Sequence, residues 1–105
     1  SYSVTGVQTC ALPILKKSGA RLIWASSTPL PTESKYGDPA AIVARNEIAA
    51  GLAAKRGIPI NDLYSSIAPH LAECQNPNDC HFNSRGYDLL GGQVAEAIVP
   101  HMKRR

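Results

Sequence analysis

The chain has 105 residues, of which 44% are hydrophobic and 18% charged, and its formal net charge is +3. Such values fit one small globular domain with a modest stability margin. No stretch approaches the roughly 18 apolar residues that cross a membrane, no secretion signal opens the chain, and no basic stripe with interleaved aromatics indicates nucleic-acid binding. Three cations, Lys103, Arg104 and Arg105, stand together at the end of the sequence, where they complement a helix dipole and need no nucleic-acid partner.

The first fourteen residues, SYSVTGVQTCALPI, carry no charged side chain and show neither strand alternation nor helical periodicity. Their string VTGVQTCALPI resembles the translation of a sequencing-library adapter. We therefore predict that residues 1–14 are a non-native segment and that the native chain covers residues 15–105. A divergent N-terminal strand is the alternative. On the first interpretation Cys10 is foreign, and only two of the three cysteines belong to the fold.

The first native elements are a helix end and a strand. LKKSGA is typical of the last turn of a helix, with Gly19 able to adopt the left-handed conformation. The apolar run from Arg21 to Ser27 predicts a strand buried on both faces and closed by Pro29.

A long helix and a second strand follow. Asp38 before Pro39 predicts a helix start, and Gly57 predicts its end near Arg56. We expect this helix to bury Ala41, Ile48, Ala49 and Leu52. IPINDLY predicts a short strand that runs into a turn, where Asn61 and Asp62 form a turn with a helix cap.

The last third predicts a short helical piece in SSIAPHLAE, a polar loop in QNPNDC and a final helix from Ser84 to Met102. Pro100 is expected to kink that helix or to end it a turn early. Its predicted buried positions are Leu90, Val94, Ala97, Ile98 and Met102. Helices that alternate with strands predict an α/β fold with parallel strands and right-handed crossovers. Two parallel strands are too few for a complete sheet, so we expect a truncated piece of a larger domain.

The stretch DCHFNSRGYDLLGGQVAEAI resembles the last signature block of the SGNH hydrolases, the GDSL-like esterases. LIWASSTPLP, ARNEIAAGLAAKRG and GIPINDLY resemble further segments of that family, in the right order, so the resemblance covers about residues 15–105. It implies a three-layer α/β/α (flavodoxin-like) domain. It also implies a Ser-His-Asp arrangement that hydrolyses carboxylic esters without cofactor or metal.

Within that resemblance, His81 takes the general-base role by its position. The common family spacing, Asp-x-x-His, places the acid at Asn78, whereas the nearest carboxylate is Asp79, two residues before the histidine. We favour Asp79 as the acid and keep Asn78 as the competing position, because an asparagine cannot stabilise an imidazolium as a carboxylate does.

The other catalytic blocks of the family have no counterpart in this sequence. No Gly-Asp-Ser block and no Gly-x-Asn-Asp block is present; Ser26 and Ser27 lie in the predicted strand, and Asn46 lies in a helix. A base without its nucleophile and oxyanion donors performs no acyl transfer, so we expect the chain alone to be inactive. The parent protein is expected to cleave small acyl groups, such as acetyl groups on carbohydrate. A non-catalytic α/β binding module is the alternative.

Cys74 and Cys80 flank the loop that carries the acid. A zinc site built from Cys74, Cys80 and His81 lacks the usual short Cys-x₂₋₄-Cys spacing and a fourth ligand, so we expect a disulfide instead, with two free thiols as the alternative. A disulfide would add roughly 2 kcal/mol and predicts an exported parent, either secreted or periplasmic. Phe82 and Tyr87 are expected to pack under the loop.

Two further histidines lie outside the family block. His70 and His101 are expected to be ordinary surface histidines, with no role in the chemistry of the loop.

Overall fold

A computed structural model describes residues 4–102, and for residues 4–10 it describes the backbone alone. The elements in chain order are α1 (Val4–Lys17), β1 (Trp24–Ala25), α2 (Pro39–Lys55), β2 (Ile60–Asn61), α3 (Leu63–Ile67), a 3₁₀ turn (Ala68–His70), α4 (Leu71–Cys74), α5 (Ser84–Ile98) and a second 3₁₀ turn (Val99–His101). The predicted order of helix, strand, helix, strand, helix is confirmed. The chain is mostly helical, with one two-stranded parallel sheet among its described residues.

α1 begins earlier than the sequence pattern indicates. Residues from Val4 onward are helical although their sequence shows no helical periodicity, and Pro13 lies within the helix. The helix ends where it was predicted to, because Gly19 adopts the left-handed conformation with φ of 76°. The adapter origin of residues 1–14 stays a prediction, since a helical backbone does not bear on where a sequence came from.

β1 is shorter than predicted and lies at the edge of the sheet. It pairs in parallel with β2, with Trp24 opposite Ile60 and Ala25 opposite Asn61. The predicted burial on both faces is wrong, because Ala25 is exposed while Ser26 is buried. Among the described residues only β2 pairs with β1, so one edge of β1 has no neighbouring strand.

A side chain takes the place of a neighbour at the end of that open edge. The Ser27 N–H donates to Asn46 Oδ1 at 2.9 Å, and Asn46 Nδ2 donates to the Ser27 carbonyl oxygen at the same distance. The carboxamide of α2 thus satisfies both backbone groups of Ser27, as a paired strand would.

α2 begins and ends as its capping residues predict. The Asp38 side chain accepts a hydrogen bond from the Ala40 N–H, and Gly57 follows the C-terminus with φ of 65°. Its buried face was predicted less well. Ile48 is 53% exposed, and the most buried residue of the helix is Ala53.

α3, the first 3₁₀ turn and α4 together form the predicted short helical piece. Asp62 caps α3, accepting a hydrogen bond from the Ser65 N–H, as the sequence predicts. α5 begins at Ser84 and ends at Ile98, after which Pro100 lies in a 3₁₀ turn, so the early end predicted from that proline is confirmed. Ile98 and Met102 are exposed, which corrects their predicted burial.

The core lies where α3, α4 and α5 meet. Its buried members are Ile67, Cys74, Phe82 and Leu90, and Leu63, Leu71 and Leu89 pack against them. Gly86 allows α5 to approach this core closely, because a methyl group there would lie 2.7 Å from Phe82 Cβ and 2.9 Å from the Cys74 carbonyl oxygen. The loop that precedes α5 therefore rests directly on the best-packed part of the molecule. None of the described helices has the length and apolar character needed to cross a membrane. Lys103, Arg104 and Arg105 lie outside the described residues.

Candidate active site

The loop between α4 and α5 is held by backbone hydrogen bonds across its base. Gln75 and Phe82 form an antiparallel bridge, the Asn76 N–H donates to the His81 carbonyl at 3.0 Å, and the Asn83 N–H donates to the Cys74 carbonyl at 2.8 Å. The predicted polar loop is thus a short hairpin whose tip contains Asn78. That residue has φ of 54°, a conformation that asparagine tolerates better than most residues do.

The far side of the loop is fixed to both neighbouring helices. Asn83 caps α5 by accepting a hydrogen bond from the Gly86 N–H at 3.0 Å, and its Nδ2 donates to the Glu73 carbonyl at 2.8 Å. Phe82 is buried directly beneath. His81 therefore directly precedes two residues that are held against the core and the helices, which limits its position along the loop.

Asp79 and His81 meet at the surface of this loop. Asp79 Oδ1 lies 2.9 Å from His81 Nδ1, and the two side chains are 32% and 61% exposed. The hydrogen bond from His81 lowers the pKa of Asp79 below its ordinary value. Both side-chain hydrogen bonds found for His81 involve Nδ1, so Nε2 faces away from them. A histidine held at Nδ1 by a carboxylate, with Nε2 accessible, has the arrangement of a general base.

The structure brings Asp79, rather than Asn78, to the imidazole. None of the hydrogen bonds among residues 4–102 joins Asn78 to His81, and Asn78 turns the chain at the tip of the hairpin instead. The geometry thus favours Asp79 over the position given by the family spacing. The catalytic role of either residue stays a prediction.

Cys80 lies next to the imidazole of His81. Its Sγ is 3.5 Å from His81 Nδ1, whereas Cys74 is buried in the core. Both cysteines are free thiols in the structure. The disulfide between them stays a prediction.

Tyr36 is a neighbour of His81 that sequence reasoning missed. Its ring stands edge-on to the imidazole with a centroid separation of 6.3 Å, and Lys35 Nζ lies 5.2 Å from the Tyr36 ring. Forty-five positions separate Tyr36 from His81 in the chain, and no local pattern signals such a contact. The loop between β1 and α2 brings it there.

The other polar residues named in the sequence analysis make hydrogen bonds within the fold. Ser26 donates to Asp62 and accepts from the Tyr64 N–H, and Asn46 binds the backbone of Ser27, so none of these groups faces His81. His70 pairs with Glu73 at 2.8 Å.

The two aromatic residues expected under the loop differ in their burial. Phe82 is buried, as predicted, but Tyr87 is half exposed and contacts Phe82 edge-on at 6.1 Å between centroids. The predicted burial of Tyr87 is therefore wrong, but its contact with the loop is confirmed, because the Tyr87 hydroxyl accepts a hydrogen bond from the Phe82 N–H at 3.5 Å.

Comparison of this chain with protein-family models, with curated proteins and with solved structures gives no match. The resemblance to SGNH hydrolases rests on the four sequence segments alone.

Proposed function

We propose that this chain is the C-terminal part of a serine esterase of the SGNH type, to which it contributes the acid–base pair Asp79–His81. The observation that carries the proposal is the 2.9 Å hydrogen bond between Asp79 Oδ1 and His81 Nδ1. It fixes the ring and leaves Nε2 open to a partner. A surface histidine paired with a carboxylate is common, and the family resemblance of the surrounding block is what distinguishes this one.

In the proposed reaction, His81 Nε2 takes the proton of a serine hydroxyl while the serine oxygen bonds to the acyl carbon of the ester. The imidazolium then gives that proton to the departing alcohol, which leaves an acyl-enzyme. In the second half of the reaction, His81 Nε2 takes a proton from water while the water oxygen bonds to the acyl carbon. The imidazolium then returns that proton to the serine oxygen as the carboxylic acid leaves. Asp79 holds the Nδ1–H throughout and stabilises the imidazolium.

The nucleophilic serine and the oxyanion donors come, in this proposal, from segments that are not part of the chain. The backbone N–H and C=O of Ala25 point away from β2 by the alternation of a parallel ladder, so β1 offers a free edge to another strand. We propose that further strands pair there and complete a three-layer α/β/α domain.

A groove beside the loop is the proposed position of the substrate. It is an open groove of about 360 Å³ between Leu30–Thr32 and Asn76–Asn78, next to Asp79 in the chain but not lined by Asp79 or His81. This volume lies at the lower end of the range for small-molecule sites, roughly 300–1,000 Å³, and suits a small acyl group with part of a sugar. An acetylated carbohydrate is the proposed substrate class.

The first test uses the chain as it stands. We expect no hydrolysis of p-nitrophenyl acetate above the buffer rate, because each missing oxyanion donor alone is worth about 10²–10³ in rate. Turnover that disappears in His81→Ala would contradict the proposal that the nucleophile lies elsewhere.

The second test uses the parent protein, recovered by extending the reading frame upstream in the source DNA. We expect a Gly-Asp-Ser block there and a loss of about 10⁴ in kcat for Asp79→Asn. Asp88→Asn, the same substitution at an exposed carboxylate of α5, is the matched control and should retain most of the activity. An intact parent without a Gly-Asp-Ser block would favour the non-catalytic binding module instead.

A further inference from the structure

We propose that Asp79, Cys80 and His81 form a binding site for a thiophilic divalent cation of the Zn²⁺ type. The zinc site considered from the sequence used Cys74, which the structure buries in the core. Asp79 takes its place as the third ligand. The inference concerns binding by this chain and does not depend on esterase activity.

The three ligand atoms already lie close together. A carboxylate oxygen, the sulfur and an imidazole nitrogen all fall within 4.8 Å of one another. His81 Nδ1 is 2.9 Å from Asp79 Oδ1 and 3.5 Å from Cys80 Sγ. Zinc bonds of about 2.0–2.3 Å in a tetrahedron require separations of about 3.4 Å between nitrogen and oxygen and about 3.6 Å between nitrogen and sulfur. Shifts of about half an ångström or less therefore bring these two pairs to the geometry of a zinc site.

The chemistry of the ligands selects the ion. A thiolate and an imidazole favour zinc and related transition metals over magnesium or calcium, which prefer sites made of oxygen alone. His81 is 61% exposed, so an ion reaches it from solvent and keeps water in the fourth position. On binding, Cys80 releases its thiol proton to solvent and coordinates as the thiolate.

The ion and the hydrogen bond to Asp79 use the same nitrogen, His81 Nδ1. A cation on His81 Nδ1 displaces the hydrogen bond to Asp79, so the two states of the loop exclude each other. The hairpin itself is held by the backbone bond between Asn76 and His81, which neither state disturbs.

The test is a titration with Co²⁺, and then with Zn²⁺ as competitor, in the presence of a phosphine reductant. We expect one cobalt ion per chain, a sulfur-to-cobalt charge-transfer band, and the strong visible absorption of a tetrahedral site. Cys80→Ser should abolish the charge-transfer band, and His81→Ala should weaken binding by at least about tenfold.

His70→Ala is the matched control. His70 and Glu73 form an exposed histidine–carboxylate pair at 2.8 Å that belongs to no group of three potential ligands among the described residues. This variant should bind cobalt as the unsubstituted chain does. Cys10→Ser controls for the third thiol of the chain, whose side chain the structure does not describe. This variant should retain the charge-transfer band.

A charge-transfer band that survives in Cys80→Ser, or equal losses in His70→Ala and His81→Ala, would overturn the proposal. Circular dichroism of each variant separates a lost ligand from a lost fold. If Cys80→Ser fails to fold, the ¹⁵N chemical shift of His81 Nδ1 in the unsubstituted chain shows whether this nitrogen binds the ion. It must move on addition of Zn²⁺ while the His70 ring nitrogens do not.

Discussion

Ser26 is a buried hydroxyl with two roles at the end of β1. Its Oγ donates to Asp62 Oδ1 at 3.1 Å and accepts from the Tyr64 N–H at 2.9 Å. The side chain is buried, whereas the next residue, Ser27, uses only its backbone groups, which bind Asn46. The two adjacent serines that follow β1 thus differ in their contribution to the fold.

Ser26→Ala should lower the free energy of unfolding by about 1–3 kcal/mol, because it leaves the Tyr64 N–H without its acceptor. Ser27→Ala should change it by less than about 0.5 kcal/mol, since no side-chain contact is lost. Urea unfolding followed by tryptophan fluorescence measures both variants. Equal effects of the two substitutions would contradict this role of Ser26.

Asp62 links the pH dependence of stability to the start of α3. The hydrogen bond from the Ser65 side chain is the largest influence and lowers the pKa of Asp62 below its ordinary value of 3.8; burial opposes it, and weaker hydrogen bonds from the Ser65 backbone and Ser26 add to the lowering. The folded chain therefore holds the proton less tightly than the unfolded chain does. The stabilisation from ionised Asp62 is present above the unfolded pKa and is lost as the pH falls through the folded pKa.

We expect the free energy of unfolding to fall as the pH drops below about 4, and to fall less steeply in Asp62→Asn. Asparagine keeps a cap acceptor but has no proton to take up. Some slope remains in this variant, because hydrogen bonds from His70 and His81 also lower the pKa values of Glu73 and Asp79. An unchanged slope in Asp62→Asn would contradict the role of Asp62.

Gly86 matters to α5 for the space that it leaves empty. It is buried in the first turn, against Phe82 and Cys74, while Gly91 on the same helix has no heavy atom within 4 Å of the position of a Cβ. Glycine within a helix costs stability relative to alanine, so the two positions respond to alanine in opposite directions.

Gly91→Ala should raise the free energy of unfolding by about 0.5–1 kcal/mol through helix propensity. Gly86→Ala should lower it by about 1–3 kcal/mol, because the added methyl group overlaps the Phe82 Cβ and the Cys74 carbonyl. Denaturant melts of the two variants provide the comparison. A stabilised Gly86→Ala chain would show that α5 moves to make room.

Local signals predict the ends of elements better than their faces. Asp38, Pro39 and Gly57 set the limits of α2 within two residues, because capping depends on the chain immediately around each end. Ile48 was expected in the core and is exposed, since the buried face of a helix depends on neighbours elsewhere in the chain. The predicted length of β1 was too great for the same reason, because only two residues of β2 pair with it.

The candidate site divides in the same way. Asp79 and His81 were predicted from one short block, and the structure brings them together because they share a hairpin. Cys80 Sγ lies close to the imidazole because Cys80 stands between these two residues in the chain. The sequence instead predicted that Cys80 pairs with Cys74. Tyr36 arrives from a distant loop and had no sequence signal.

The described part of the chain buries few hydrophobic side chains and leaves many large ones exposed. Only Ala53, Ile67, Cys74, Phe82 and Leu90 form its buried hydrophobic core. The exposed large hydrophobic residues include Ile14, Leu15, Tyr36, Val43, Ile48, Ile60, Tyr87, Ile98, Val99 and Met102. Extensive exposed apolar surface and a free strand edge both favour association.

We expect the purified chain to associate in a concentration-dependent way and to melt with low cooperativity. Light scattering after size exclusion, with calorimetry, measures both properties. Asn46→Ala should increase association because it uncovers the Ser27 backbone at the strand edge. Gln93→Ala removes a carboxamide that binds the Asn61 side chain instead, and it should increase association less. A monodisperse, cooperatively melting monomer would contradict the expectation.

The Asn46 carboxamide also limits what can join β1. Since it occupies both peptide groups of Ser27, an incoming strand can align alongside Ala25 but must leave the sheet before it reaches Ser27. A strand that paired with Ala25 would therefore separate from the chain before Ser27, two residues beyond the end of β1.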